Sequence, residues 1–370
     1  MPHGYHLIDP YLLKRLLIGI IYFMSASVVC LFVSVIVHKA YIESMENRIN
    51  EIKAIYIPMI SRKLVDNSYE LRRPARKVET EAVADILIDM LASISGDMEK
   101  QLKRLASGLG IVEYYRKVAG SKVSTRRFVA MEKLGFLRLP ELKPFYHEVL
   151  HTEGNSGVIA RTVLALSLIA DSEEDIRAIN DVVKNPLFMS SKFTEYLYTN
   201  VIKSFRNHTL EDTFVGLLTR IETAPDIPVL VKRDIIEACG SEALYQARGV
   251  IIHYFDTFRD LPEMKIACIR ALGKLGGEEA CVIIKSCLGD GDWRVRAVDA
   301  KNAHLCPYDI AAHLAESLHD ENYYVRINAA ISLSRLGHAG IEMLQKASNS
   351  GDRFTRDVSQ YILRDMEIRA

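Results

Sequence analysis

The residues with the most chemical promise lie in Phe145-Tyr146-His147-Glu148-Val149-Leu150-His151, which contains the spacing HExxH. On a helix, positions four apart share one face, so His147 and His151 could grip one zinc ion while Glu148 acts as base on a metal-bound water. A zinc hydrolase needs a third protein ligand, and Glu173 or Glu174 offers a carboxylate just over twenty residues downstream. Gly154 fits the longer three-histidine form of the motif, but Gly157 stands where that form has its last histidine. The hydrophobic register argues against metal. Leu142, Phe145, Val149 and Leu150 make the apolar side of a helix whose polar residues then fall on an exposed rim, with no pocket around them. The primary expectation is therefore surface histidines, no cofactor and no enzymatic activity. A membrane-tethered metalloprotease using His147, His151, Glu173 and Glu148 is the alternative.

Little else in the sequence points to chemistry. No phosphate loop, dinucleotide fingerprint or nucleophile elbow is present, and Asp290-Gly291-Asp292 is too short for a calcium loop and reads as a turn and cap. The chain carries 47 basic and 47 acidic residues, so no net field steers it toward nucleic acid. Cys30, Cys239, Cys268, Cys281, Cys287 and Cys306 show no CxxC or CxxH spacing. Cys30 lies in the apolar N-terminal segment, and the five beyond it are expected as reduced core thiols of a cytosolic domain. Asn207-His208-Thr209 forms a glycosylation sequon, meaningful only in a eukaryotic secretory lumen.

The elements that would position these residues are helical. From about residue 80 apolar residues recur at helical spacing in short segments broken by Gly, Asp, Asn or Pro, with no alternating strand pattern. Segments beginning at Lys265, Arg296, Arg326 and Arg356 align at intervals of 31, 30 and 30 residues. Weaker copies start near Arg127, Arg161 and Lys232, with a degenerate one at Tyr196 to Phe205, giving seven or eight units. Each basic residue follows a turn rich in Asp or Gly, and Asp292, Asp320 and Asp352 are expected N-caps. Trp293 and the pair Tyr323-Tyr324 precede second helices, where they are expected to pack between repeats, with facing a partner as the alternative.

Tyr324-Val325-Arg326-Ile327-Asn328-Ala329-Ala330-Ile331-Ser332-Leu333-Ser334-Arg335-Leu336-Gly337 resembles the second helix of a HEAT repeat of the short, bacterial, phycobilisome-lyase-like kind, and Ile269 to Gly276 is similar. The resemblance covers roughly residues 120 to 365 and implies an all-α solenoid of helix pairs, each burying its apolar face against its neighbours. It says little about activity, because function resides in sites carried by a fold. Deoxyhypusine hydroxylases, a HEAT-like enzyme class, hold iron with repeated His-Glu pairs; His147-Glu148 is the only such pair here, so that role does not carry over. A bilin lyase role, suggested by the repeat type alone, finds no residue to carry it.

Ahead of the repeats, Leu16 to Val37 runs 22 residues without a charge, about 33 Å as a helix and enough to cross a bilayer core of roughly 30 Å. Ser25-Ala26-Ser27 could mark a signal cleavage site, but the apolar run continues ten residues beyond it. Lys14 and Arg15 on one side are nearly matched by Lys39, Arg48 and Lys53 on the other, so charge leaves the orientation open. Two features lean the large domain toward the cytoplasm: the thiols, and eleven Lys or Arg between Lys100 and Lys143 that would suit anionic lipid. Ile42, Met45, Ile49, Ile52, Tyr56 and Met59 form a short heptad seam, fit either for a homodimer or for packing on the start of the solenoid.

The sequence thus predicts a tail over 1–15, a transmembrane helix over 16–37, a juxtamembrane helix and linker over 38–75, and a HEAT-like α-solenoid over 76–370. The function expected is that of a scaffold in a bacterial inner membrane, binding and organising a protein partner.

Overall fold

The computed structural model describes residues 10–188, 190–306 and 310–369, so the first nine residues of the expected tail lie outside it. Every regular element among the described residues is helical, and the chain divides into two compact units at Lys117/Val118.

In the first unit α1 runs unbroken from Pro10 to Val65, 56 residues or about 84 Å. The expected transmembrane and juxtamembrane segments are therefore one helix, with Pro58 inside it. Its Leu16 to Val37 portion exposes large apolar side chains, Phe23, Leu31 and Phe32 among them. Residues 66–76 are non-helical, where Pro74 keeps Arg73 out of the helical region. The chain then forms α2 (Lys77–Ser93), α3 (Asp97–Gly108) and α4 (Ile111–Ala119). The C-terminal part of α1 packs on α2 and α3, and Tyr56 is only 5% exposed. That end of the heptad seam is used inside the chain. Thus α2 to α4 group with α1 and not with the repeats.

The second unit holds α5 (Ser124–Leu137), α6 (Lys143–Thr152), α7 (Ser156–Ser167), α8 (Glu173–Val183), α9 (Ser191–Asn207), α10 (Glu211–Thr223), α11 (Val229–Ser241) and α12 (Arg248–Thr257). It continues with α13 (Pro262–Leu275), α14 (Glu278–Cys287), α15 (Trp293–Asn302), α16 (Ile310–Ser317), α17 (Tyr323–Ser334), α18 (Gly337–Ala347) and α19 (Arg353–Arg369). The odd-numbered helices stack one on the next from α5 to α19, with the even-numbered ones between them along the chain. These eight stacked second helices are a HEAT-like solenoid.

Small residues permit the stacking. A Cβ added to Gly240 in α11 would lie 2.5 Å from Ala271 Cα in α13, and one on Gly135 in α5 would lie 2.8 Å from Ala165 Cβ in α7. Apolar side chains fill the space between layers, including Ile284, Val295, Leu314, Val325, Leu333 and Leu344.

One expectation about the cysteines fails. Cys281 and Cys306 are joined in a disulfide, whereas Cys239, Cys268 and Cys287 are buried free thiols and Cys30 is an exposed thiol on α1. Residues 25 apart with no motif between them gave the sequence no reason to pair them; stacking α14 beside α15 does.

Candidate functional site

HExxH lies on α6, and its side chains diverge. His147 turns toward the start of α8, where its Nε2 donates to Asp175 Oδ1 at 2.8 Å. Lys143, one turn earlier on α6, reaches Asp175 Oδ2 at 3.0 Å and also binds Asp171. Ser172 Oγ donates to the same Oδ2 at 2.8 Å, and the Asp171 N–H does so at 3.1 Å. Burial of Asp175 works against its charge, but the bonds from His147, Lys143 and Ser172 outweigh it and hold the carboxyl below its ordinary range. Ser172 is also the N-cap of α8, its hydroxyl accepting from the Asp175 N–H. Ser172-x-x-Asp175 is a capping-box spacing with Asp at its fourth position, a sequence signal for the cap that says nothing of the partners on α6.

The other motif members stay apart from that cluster. His151 Nδ1 donates to the carbonyl of His147 at 2.7 Å, a contact within its own helix. Glu148 is exposed. Glu173 pairs with Arg177 at 3.4 Å and with Arg220 at 3.0 Å, facing α10 and not α6. The structure therefore does not assemble His147, His151 and Glu173, and among the described residues no group of three or more His, Cys, Asp or Glu could hold a metal ion. The predicted apolar side of α6 also needs correcting. Tyr146 is the side chain of α6 that is wholly buried, while Phe145, Val149 and Leu150 are half-buried.

What the polar residues do instead is tie repeat to repeat. Arg127 Nη1 donates to the carbonyls of Ser121 and Lys122 in the turn before its helix, and its Nε and Nη2 bridge forward to both Glu153 carboxylate oxygens at 2.7 and 2.9 Å. Arg296 repeats this geometry, holding the Asp290 carbonyl at 2.8 Å and reaching Asp320 at 2.6 and 3.1 Å. Arg326 and Arg356 clamp the carbonyls of Asp320, Glu321 and Ser350 in the same way. Lys265 reaches forward to Asp290. These charge-assisted bonds order the turns on one edge of the solenoid.

Two of the three expected caps hold. Asp292 accepts from the Arg294 N–H and Asp352 from the Thr355 N–H. Asp320 is not a cap: Asn322 takes that position, and Asp320 accepts the Asn322 N–H while binding Arg296. The two residues are close enough in sequence and alike enough in chemistry that either could cap; only the forward Arg296 contact separates their roles.

The basic stretch from Lys100 to Lys143 spans both units, and several of its charges are engaged. Lys100 pairs with Asp97, Lys103 with Glu99, Arg127 with Glu153 and Lys143 with Asp175. The aromatic residues both pack and show a face. Trp293 and Tyr324 stack across neighbouring repeats at 5.9 Å between ring centres, yet are 41% and 59% exposed. One buried group stands apart: among the described residues neither carboxyl oxygen of Asp299, wholly buried on α15, has a hydrogen-bond partner, and burial pushes its pKa well above the ordinary carboxyl range.

No protein-family model and no curated protein matches this chain. Among solved structures it resembles human deoxyhypusine hydroxylase at 18% identity over 79% of this chain and 96% of that one, with a TM-score of 0.28. Kap121p matches at 11% identity over 78% of this chain and 41% of its own, with a TM-score of 0.35. An engineered protein matches at 14% identity, over 77% and 96%, with a TM-score of 0.21. At these scores the resemblances carry no argument, and the class of the fold, a helical-repeat solenoid, follows from the stacked helices themselves.

Proposed function

We propose that this chain is a membrane-anchored scaffold whose solenoid holds a protein partner. The observation that carries the reading is α1, whose uncharged stretch from Leu16 to Val37 is left unburied among the described residues and yet continues as one helix into a folded unit. An apolar surface of that length needs a lipid environment to cover it. The solenoid supports the scaffold half. Its buried groups are given over to stacking, its strongest polar contacts tie repeats together, and it leaves Trp293, Tyr323 and Tyr324 exposed on one edge. A bacterial inner membrane suits the repeat style. The cytoplasmic lean of the sequence rests on two features, the thiols and the basic stretch from Lys100 to Lys143, and the Cys281–Cys306 disulfide weakens the first.

In-membrane crosslinking of the full chain, followed by purification, tests the reading: one stoichiometric protein partner is expected, and its absence from native membranes would sink the scaffold assignment. Carbonate extraction tests the anchor separately, since an anchored chain stays with the lipid and a soluble one is released.

A further inference from the structure

The side of the membrane can be inferred from the cysteines. We propose that the solenoid lies on the non-cytosolic, oxidising side, where the Cys281–Cys306 disulfide forms and persists. The inference rests on the anchored reading above.

Cys281 sits near the start of α14, and Cys306 follows the short 3-10 turn that ends α15. Their Cα atoms are 5.5 Å apart, inside the range that a disulfide spans without moving the backbone. They are 7% and 2% exposed, so the bond is internal and ties the first helix of a repeat to the end of its second. Nothing about cysteine crowding accounts for it. Cys239, Cys268 and Cys287 are buried in the same solenoid, and each stays a free thiol. Burial pushes the Cys239 and Cys287 thiols up to about 12 and raises that of Cys268 further. They are therefore almost never thiolate at neutral pH, and they cannot attack the bond and reshuffle it.

Making the bond removes two protons and two electrons from the two thiols. Thiol–disulfide exchange delivers them to the disulfide of a dithiol oxidant, which leaves as the dithiol. Oxidants of that class work in periplasmic and secretory compartments, while the cytosol keeps such pairs reduced. Charge permits the orientation this requires. Lys14 and Arg15 would stay on the cytosolic side, the nearly matched Lys39, Arg48 and Lys53 on the far side give no strong opposition, and the basic stretch from Lys100 to Lys143 starts too far beyond Val37 to set the orientation.

The test uses the full chain in its native membranes, acid-quenched, denatured and labelled with a polymer-bearing maleimide that adds a visible mass per thiol. Four labels are expected before reduction, at Cys30, Cys239, Cys268 and Cys287, and six after it. Cys281→Ser or Cys306→Ser should each give five without reduction. Six labels on the unreduced wild-type chain would overturn the proposal. A second arm fuses alkaline phosphatase, active only after export, or a fluorescent protein that matures only in the cytosol, to the C-terminus. Phosphatase activity is expected. A fluorescent, phosphatase-inactive pair overturns the assigned side even where four labels are found. Release of the chain by carbonate would remove the anchor, and the assigned side with it, while the label count reports the disulfide independently.

Discussion

Asp299 is wholly buried, and His147 is half-buried against the buried carboxylate of Asp175. Asp299 is buried with no hydrogen-bond partner among the described residues, so its charged form is disfavoured in the folded state and its folded pKa lies above the unfolded value of about 4. The folded chain then holds that proton more tightly than the unfolded chain. Its contribution is fully present below the unfolded pKa and is lost as pH rises through the folded one. Asp299→Asn should raise the melting temperature at pH 8 and change it much less at pH 4; equal shifts at both would contradict the assignment. Asp175 has the opposite sign. Its depressed pKa makes its contribution present at neutral pH and lost on acidification. Because His147 is committed to Asp175, His147→Ala should destabilise by about 1–3 kcal/mol, as expected when a buried charged acceptor loses a donor. Metal analysis of the purified protein should show no stoichiometric zinc. Zinc that is present at one per chain and lost in His147→Ala would restore the metalloprotease alternative with Glu148 as base.

Between helices the decisive feature is how closely backbones approach. Gly240→Ala would push a methyl group to 2.5 Å from Ala271 Cα, which is backbone and cannot swing aside, so α11 and α13 must separate. Overpacking of this kind costs about 1–3 kcal/mol. Gly216 in α10 meets nothing within 4 Å of an added Cβ, so Gly216→Ala should instead stabilise by about 0.5–1 kcal/mol. Urea unfolding of the two variants should move in opposite directions. This scale is also where the sequence was most legible. The even spacing from Lys265 to Arg356 marks second helices that do begin beside those residues, because each repeat must present the same apolar face to the next. What escaped were contacts made only by stacking. These include the forward reach of Arg296 to Asp320, the turn of His147 toward α8, and the grouping of α2 to α4 with α1. No local spacing encodes which neighbour a side chain will meet.

For the molecule as a whole, a solenoid stabilised mainly between nearest neighbours gains most from a crosslink within one repeat, because that repeat cannot then open alone. Closing a loop of 25 residues is worth about 3.5 kcal/mol in the chain-entropy account. Reducing the protein, or introducing Cys281→Ser, should therefore speed hydrogen exchange first in α14 and α15. Uniform loosening from α5 to α19 would show that the repeats melt together instead.

The unbroken α1 has a mechanical consequence. Beyond Val37 the same helix continues to Val65, 28 residues or about 42 Å, with no flexible joint between the apolar stretch and the unit packed on its far end. In the anchored reading this stem is a lever arm. A lean of about 10° within the bilayer, ordinary for a spanning helix, swings its tip sideways by roughly 7 Å. Changes in bilayer thickness would then be felt at the first folded unit as displacement.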